Sequence, residues 1–305
     1  MTAWKSFHGR ADRASFPPET VVAVKALACE LPSEIGLPLS RFSTAEIKRE
    51  VISRGLVASI GDTTVWRWLS EDAIRPWHHR SWIFPRDPDF ANKAGRVLDL
   101  YAGTWEGQAL GADEYVISAD EKTSVQARRR KHRTTPPRPA VSMQVEHEYT
   151  RKGAWAYLAA WDVHRARIFG RCEHKTGIAP FGRLVRQVMS QEPYRSAARV
   201  FWVVDNASSH RGEACQQRLS RRWPNLVVVH TPIHASWLNQ IEIFFSIVQR
   251  KVLTPNDFNS LTALEKRLLD FQIHYQAVAK PFRWRFTRRD LEALLDKLAT
   301  RPMAA

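Results

Sequence analysis

The sequence predicts an α/β fold, a mixed sheet flanked by helices, preceded by a small all-α module. Three observations carry that prediction. Runs rich in β-branched and aromatic residues, such as "EYVISAD" and "RVFWVVDN", begin at about residue 113 and have the length of buried strands. Amphipathic stretches of helical period, "GIAPFGRLVRQVMSQ" and "ASWLNQIEIFFSIVQRKVL", lie between and after them, the alternation that covers a sheet with helices. The first quarter of the chain, by contrast, reads as short helices.

The chain of 305 residues is long enough for one large domain and a small one. It carries 46 Lys and Arg against 31 Asp and Glu, a net charge of +15 and a pI near 10.2. Such an excess favours a polyanionic partner, nucleic acid first, because each neutralised phosphate releases condensed counterions. Cys29, Cys172 and Cys215 are odd in number and form no CxxC, which argues against a disulfide framework or a structural zinc site. No apolar run reaches membrane-spanning length and the N-terminus lacks a signal-peptide core, so a soluble cytoplasmic protein is expected.

Residues 1–17 read as a flexible basic lead-in, and 18–74 as a helical module. After a first helix in "ETVVAVKALACELP", Ser43 and Glu46 form a capping box and Phe42 can staple onto Ile47, starting a second helix. "RGLVAS" supplies a turn and "DTTVWRWLSE" a third helix. Val65, Trp68 and Leu69 share its inner face, leaving Thr63, Thr64 and Arg67 outward. The pair fits a helix-turn-helix and a plain helical hairpin equally well on pattern, and the basic charge favours the former. Residues 75–112 connect, first through the Pro- and Trp-rich "IRPWHHRSWIFPRDP" and then through a helix, to the α/β domain at 113–298.

Two predicted strands end in aspartate, "VISAD" at Asp120 and "WVVDN" at Asp205. As neighbours in one sheet they would present both side chains at one edge. Glu242 is a polar position on a helix otherwise rich in Ile241, Phe244 and Phe245, where an unpaired carboxylate costs free energy. Each acid alone has a plain reading, as a strand-terminal loop residue or a solvent-facing helix residue. Together they would form a hard oxygen site suited to Mg²⁺, and two such ions about 4 Å apart suit phosphodiester cleavage. Glu121 should point the opposite way along its strand, and Asp162 reads as a turn residue. Trp237, beside the third acid, is placed to stack on a displaced base.

"SADEKTSVQAR", "VVDNASSH" and "TPIHASWLNQIE" resemble the three active-site blocks of DDE transposases in the bacterial insertion-sequence branch of the mariner superfamily, the insertion sequence 630-like group. Glu242 lies 37 positions beyond Asp205, near that family's usual interval, and "KPFRW" near residue 280 resembles its C-terminal stretch. The resemblance extends from about residue 18 to 295. It implies an RNase H-like catalytic domain with Asp120, Asp205 and Glu242 holding two Mg²⁺ ions, Mn²⁺ being able to replace them. It also implies accessory roles for Asn206, His210 and Asn239, cleavage of double-stranded DNA at terminal inverted repeats, and attack of the freed 3′-OH on target DNA. A homodimer acting at the bacterial nucleoid, without a membrane, is implied as well. The family usually carries two helix-turn-helix units and only the second is evident here, so truncation is one expectation. The run "ARRRKHR" (127–133), with Arg128, Arg129, Arg130 and Lys131, reads as a DNA-contacting loop or as a solvated charge cluster. A nuclease without strand transfer, or a truncated or domesticated regulator that only binds DNA, are the alternative functions.

Overall fold

The structure, a computed structural model, describes residues 16–78, 85–207 and 212–299. The chain divides into two compact units, Met1–Ile83 and Phe84–Ala305.

In the smaller unit, helices α1 (Pro18–Ala28), α2 (Thr44–Ser53) and α3 (Asp62–Glu71) enclose one apolar cluster that includes Val24, Phe42, Ile47, Val65 and Leu69. Helix α2 starts where it does because both capping-box bonds form. The Ser43 N–H donates to Glu46 Oε2 at 2.6 Å and the Glu46 N–H to Ser43 Oγ at 3.3 Å. Hydrogen bonding from Ser43, through its side chain first and its backbone N–H second, holds the Glu46 carboxyl below its ordinary range.

The larger unit begins with α4 (Phe90–Tyr101) and a short hairpin, β1 (Thr104–Trp105) and β2 (Gln108–Ala109), that the sequence did not announce. There follow β3 (Glu114–Arg130), β4 (Tyr149–Asp162), β5 (Arg167–Glu173), α5 (Ile178–Met189) and β6 (Arg199–Val204). The remaining elements are α6 (Gly212–Ser220), β7 (Leu226–His230), α7 (Ile241–Lys251), α8 (Leu261–Gln276) and α9 (Arg288–Ala299). The five long strands form a mixed sheet in the order β5-β4-β3-β6-β7, antiparallel from β5 to β3 and parallel from β3 to β7.

Side-chain alternation sorts the sheet into two apolar faces. Val116, Ala159, Trp161, Phe201 and Val203 pack with α4, α7 and α8, while Ile117, Ala119, Leu158, Trp202 and Val204 pack with α5 and α6. Burying one such large side chain contributes roughly 1.5–3 kcal/mol. No helix among the described residues is long and apolar enough to cross a membrane.

Two sequence expectations need correction. Asp120 does not end its strand: β3 continues ten residues beyond it, to Arg130. The reason is that β3 has different partners on its two edges. Its parallel pairing with β6 stops at Ser118↔Val203, whereas its antiparallel pairing with β4 continues to Arg130↔Tyr149. For the same reason Arg128, Arg129 and Arg130 lie on a strand and not in a loop.

Candidate active site

The β3–β6 register brings the two aspartates together. Ser118 stands opposite Val203, and two residues further along each chain are Asp120 and Asp205. Adjacent strands lie about 4.8 Å apart, so the acids stand at one height where the parallel pair ends. Counting by twos from Val116 and Val203 assigns both to the face covered by α7. Asp120 is buried and Asp205 half-buried. Backbone donors hold each carboxylate: the Glu121 N–H reaches Asp120 Oδ1 at 2.7 Å and the Ala207 N–H reaches Asp205 Oδ1 at 2.8 Å. The second is an Asx turn, which explains why the chain bends directly after β6.

Glu242 sits in the first turn of α7, and its position is set by the residues just before it. Asn239, 1% exposed, donates through Nδ2 to Ala119 O at 3.0 Å and to Asp120 Oδ2 at 3.3 Å. Its Oδ1 accepts the Ser118 hydroxyl, whose oxygen in turn accepts the Ile241 N–H at 2.9 Å. From α4, Tyr101 donates to Leu238 O at 2.8 Å, and its oxygen accepts the Gln240 N–H at 3.3 Å. The segment 238–241 is thereby latched to β3 and α4, and the Glu242 N–H closes onto Asn239 O at 3.1 Å. Glu242 is exposed as a residue, and partial desolvation of its carboxyl raises it above its ordinary range; Lys122 opposes the shift and Asp205 adds to it. Asp205 and Glu242 therefore interact across the space between β6 and α7. The Asp205 carboxylate opposes ionisation of Glu242, a repulsion that a cation between them would reverse.

The donor set is all oxygen, which suits a hard divalent cation. Among the described residues, however, no group of three or more His, Cys, Asp or Glu side chains is gathered closely enough to hold an ion. The fold places the three acids on one face at one end of the parallel strands without closing them into a chelate.

Asn206 donates to Thr231 O at 2.6 Å, tying the end of β6 to the end of β7. His210 lies outside the described residues. Trp237 is half-buried edge-on against Phe286, with ring centroids 5.2 Å apart, and so packs against protein. Of the basic run, Lys131 is ion-paired with Glu148 and Arg129 is exposed. Arg128 stacks on Tyr149 at 4.7 Å, and Arg130 donates to the carbonyls of Asn256, Glu146 and His147. In the smaller unit Thr63 and Arg67 are exposed and Thr64 is half-buried. Trp66, 56% exposed, joins them on the outward face of α3. Sequence reading passed over Trp66, Tyr101 and Ser118. A serine within an otherwise apolar strand was the only available signal for the last.

Residues 115–265 match the family model of the DDE superfamily endonucleases. That segment, 151 of the 305 residues, is similar to a DDE superfamily endonuclease domain. It contains the whole long-stranded sheet apart from Glu114, as well as Asp120, Asp205 and Glu242. Two solved structures of a mariner transposase resemble the chain. One is the Mos1 paired-end complex with Mg, with a TM-score of 0.50 at 14% identity, covering 96% of this chain and 81% of that one. The other is the Mos1 strand transfer complex, with a TM-score of 0.50 at 13% identity, covering 93% and 78%. The matched segment thus has the RNase H-like arrangement, a mixed sheet flanked by helices. No curated protein matches the chain in sequence.

Proposed function

We propose that this protein is a DDE-type transposase of the bacterial insertion-sequence branch of the mariner superfamily, cutting DNA at the ends of its element and joining them to a target. The observation that carries the reading is the register of β3 and β6, which sets Asp120 beside Asp205 on the face where α7 presents Glu242. The similarity to DDE superfamily endonucleases over the same residues and the excess of basic charge support it. In the first step water attacks phosphorus and the P–O3′ bond breaks, leaving a 3′-OH and a 5′-phosphate. In the second, that 3′-OH attacks a target phosphodiester, forming a new P–O bond and releasing a target 3′-OH.

Asp120, Asp205 and Glu242 would hold divalent cations, Mg²⁺ or Mn²⁺, which supply Lewis-acid activation of the attacking and leaving oxygens. The Asn239–Ser118 latch keeps Asp120 and the first turn of α7 at a fixed spacing. Thr63, Thr64 and Arg67 on α3 contact the terminal repeats, with Arg67 suited to a phosphate or a guanine edge. Two copies acting on paired ends complete the reaction.

The test is cleavage of DNA carrying the repeats that border the gene. Asp205→Asn should retain DNA binding in a gel shift while Mg²⁺-dependent cleavage falls by about a thousandfold or more, the several kcal/mol a metal site contributes. Equal cleavage by wild type and variant would end the proposal. Cut ends without joined products would leave a nuclease in its place.

A further inference from the structure

Beyond Asp120, β3 continues without β6, and a groove runs along that edge. Two adjoining cavities mark it. One, of about 210 Å³, lies between Lys122, Glu242 and Phe245. The other, of about 470 Å³, runs from Lys122 past Gln126 and Arg128 to Arg130, with Gln249 and Asn256 opposite. Lys122 and Gln249 line both, so the groove starts at the third acid and leads away from it.

The lining of the larger cavity suits an anion. Lys122, Arg128 and Arg130 line the larger cavity and no carboxylate does. The other lining groups are mostly amides and hydroxyls, which donate hydrogen bonds to phosphate oxygens as readily as they accept them. Backbone construction holds this wall in place. Asn256 bridges the β3 edge, donating to Gln126 O at 2.8 Å and accepting the Arg128 N–H at 2.9 Å. The Arg130 guanidinium is fixed by carbonyl oxygens at 2.8–3.2 Å, contacts that orient the cation without neutralising it. The β3–β4 register shifts between Lys122 and Val125, where Ser124 has φ of +53°, an irregularity of the kind that re-aims side chains beside active sites. Lys122 is the last residue before that break. Two positions on from Asp120, it shares that residue's face and acts electrostatically on Glu242.

We propose that this groove is a subsite for the phosphodiester backbone of the DNA strand leading away from the acids, with Lys122 contacting the phosphate nearest them. The assignment rests on the function proposed above and extends it to residues outside the acid set.

Full-length protein is titrated with a duplex of about 30 base pairs, without magnesium, over a range of salt concentrations. Lys122→Gln should make the slope of log Kd against log salt shallower by about one, and Lys122→Arg should restore it. Gln249→Glu, an exposed and nearly isosteric change on α7, should weaken binding about fivefold at fixed salt through like-charge repulsion with phosphate. Lys266→Gln, a surface lysine on α8 paired with Asp270, should leave the slope unchanged. A wild-type slope for Lys122→Gln, or an equal fall for Lys266→Gln, overturns the subsite. Because binding is read without cleavage, the two proposals fail separately. Wild type that cuts DNA while Lys122→Gln keeps its slope removes the groove alone. Wild type that never cuts while the slope still falls removes the transposase reading alone.

Discussion

On one face of the sheet Tyr115, Ile117, Ala119, Val200, Trp202 and Val204 meet α5 and α6. The one buried carboxylate there among the described residues, Asp162 opposite Ile117, is fully bonded by the Tyr194 hydroxyl and the His164 and Arg165 N–H groups. On the other, the same strands present Val116, Ser118, Asp120, Phe201 and Val203 to α4, α7 and α8. The strands and the alternation are common to both faces; the difference is that Asp162 is enclosed among its own donors, whereas the other face gathers a run of polar positions at the end of the parallel pair. A buried polar group left unsatisfied costs about 1–3 kcal/mol. That face is therefore viable because Asn239, Ile241 and Tyr101 satisfy Ser118, Asp120 and the entry to α7. The α5–α6 face contributes cohesion, and its partner across the sheet gives up some cohesion to hold chemistry.

The comparison can be broken or sharpened by substitution. Phe181→Ala, in α5 on the apolar face, should cost about 3–5 kcal/mol in denaturant unfolding. It should leave the cleavage rate per folded molecule unchanged; a matching loss of rate would erase the distinction between the faces. Asn239→Ala should cost less stability, about 1–3 kcal/mol for each buried partner it strands. Its cleavage should fall further than its stability, and the Mg²⁺ concentration for half-maximal rate should rise because Asp120 and the α7 entry lose their common brace. An Asn239→Ala protein with wild-type magnesium dependence would reduce the latch to packing.

The smallest effect is expected at the sheet's β5 edge. There Arg183, with Arg171, holds the Glu173 carboxyl below its ordinary range. A depressed carboxyl stabilises the fold above its unfolded pKa, and that stability is lost as pH falls through the lower folded value. Glu173→Gln should therefore cost about 1 kcal/mol or less at pH 7. The gap between wild type and variant should close in acid, below the usual carboxylate range. A gap independent of pH would assign the effect to shape alone.

Much of this architecture was legible because it depends on local pattern. The strand runs at β4, β5 and β6, the amphipathic period of α5 and α7, and the Ser43–Glu46 cap all follow from the chemistry of neighbouring residues. Asp120 and Asp205 stood out as acids closing apolar strand runs, and Asp120 is indeed buried. Glu242 stood out as a carboxylate among apolar helix residues, yet it lies exposed on α7, so desolvation cost alone did not place it. The length of β3 was not legible. Its second half, "EKTSVQARRR", has no strong alternation and extends only because β4 pairs with it from distant positions, Arg130 with Tyr149 and Glu121 with Leu158. Tyr101 and Ser118 were not legible either, since an ordinary tyrosine and serine become braces only when α4, β3 and α7 meet. Lys122 is one of 46 cations until a groove forms around it.

By itself, then, the sequence determined the α/β class, the positions of the main strands and helices, and which side chains are too costly to bury without purpose. These are consequences of period, propensity and desolvation, all of which act over a few residues. Tertiary structure alone decided that β3 outlasts β6, and hence that one edge stays open beyond Asp120. It also decided which polar groups latch α7 and which cations line the groove, because register and groove shape arise from pairings between segments that the chain brings together only on folding.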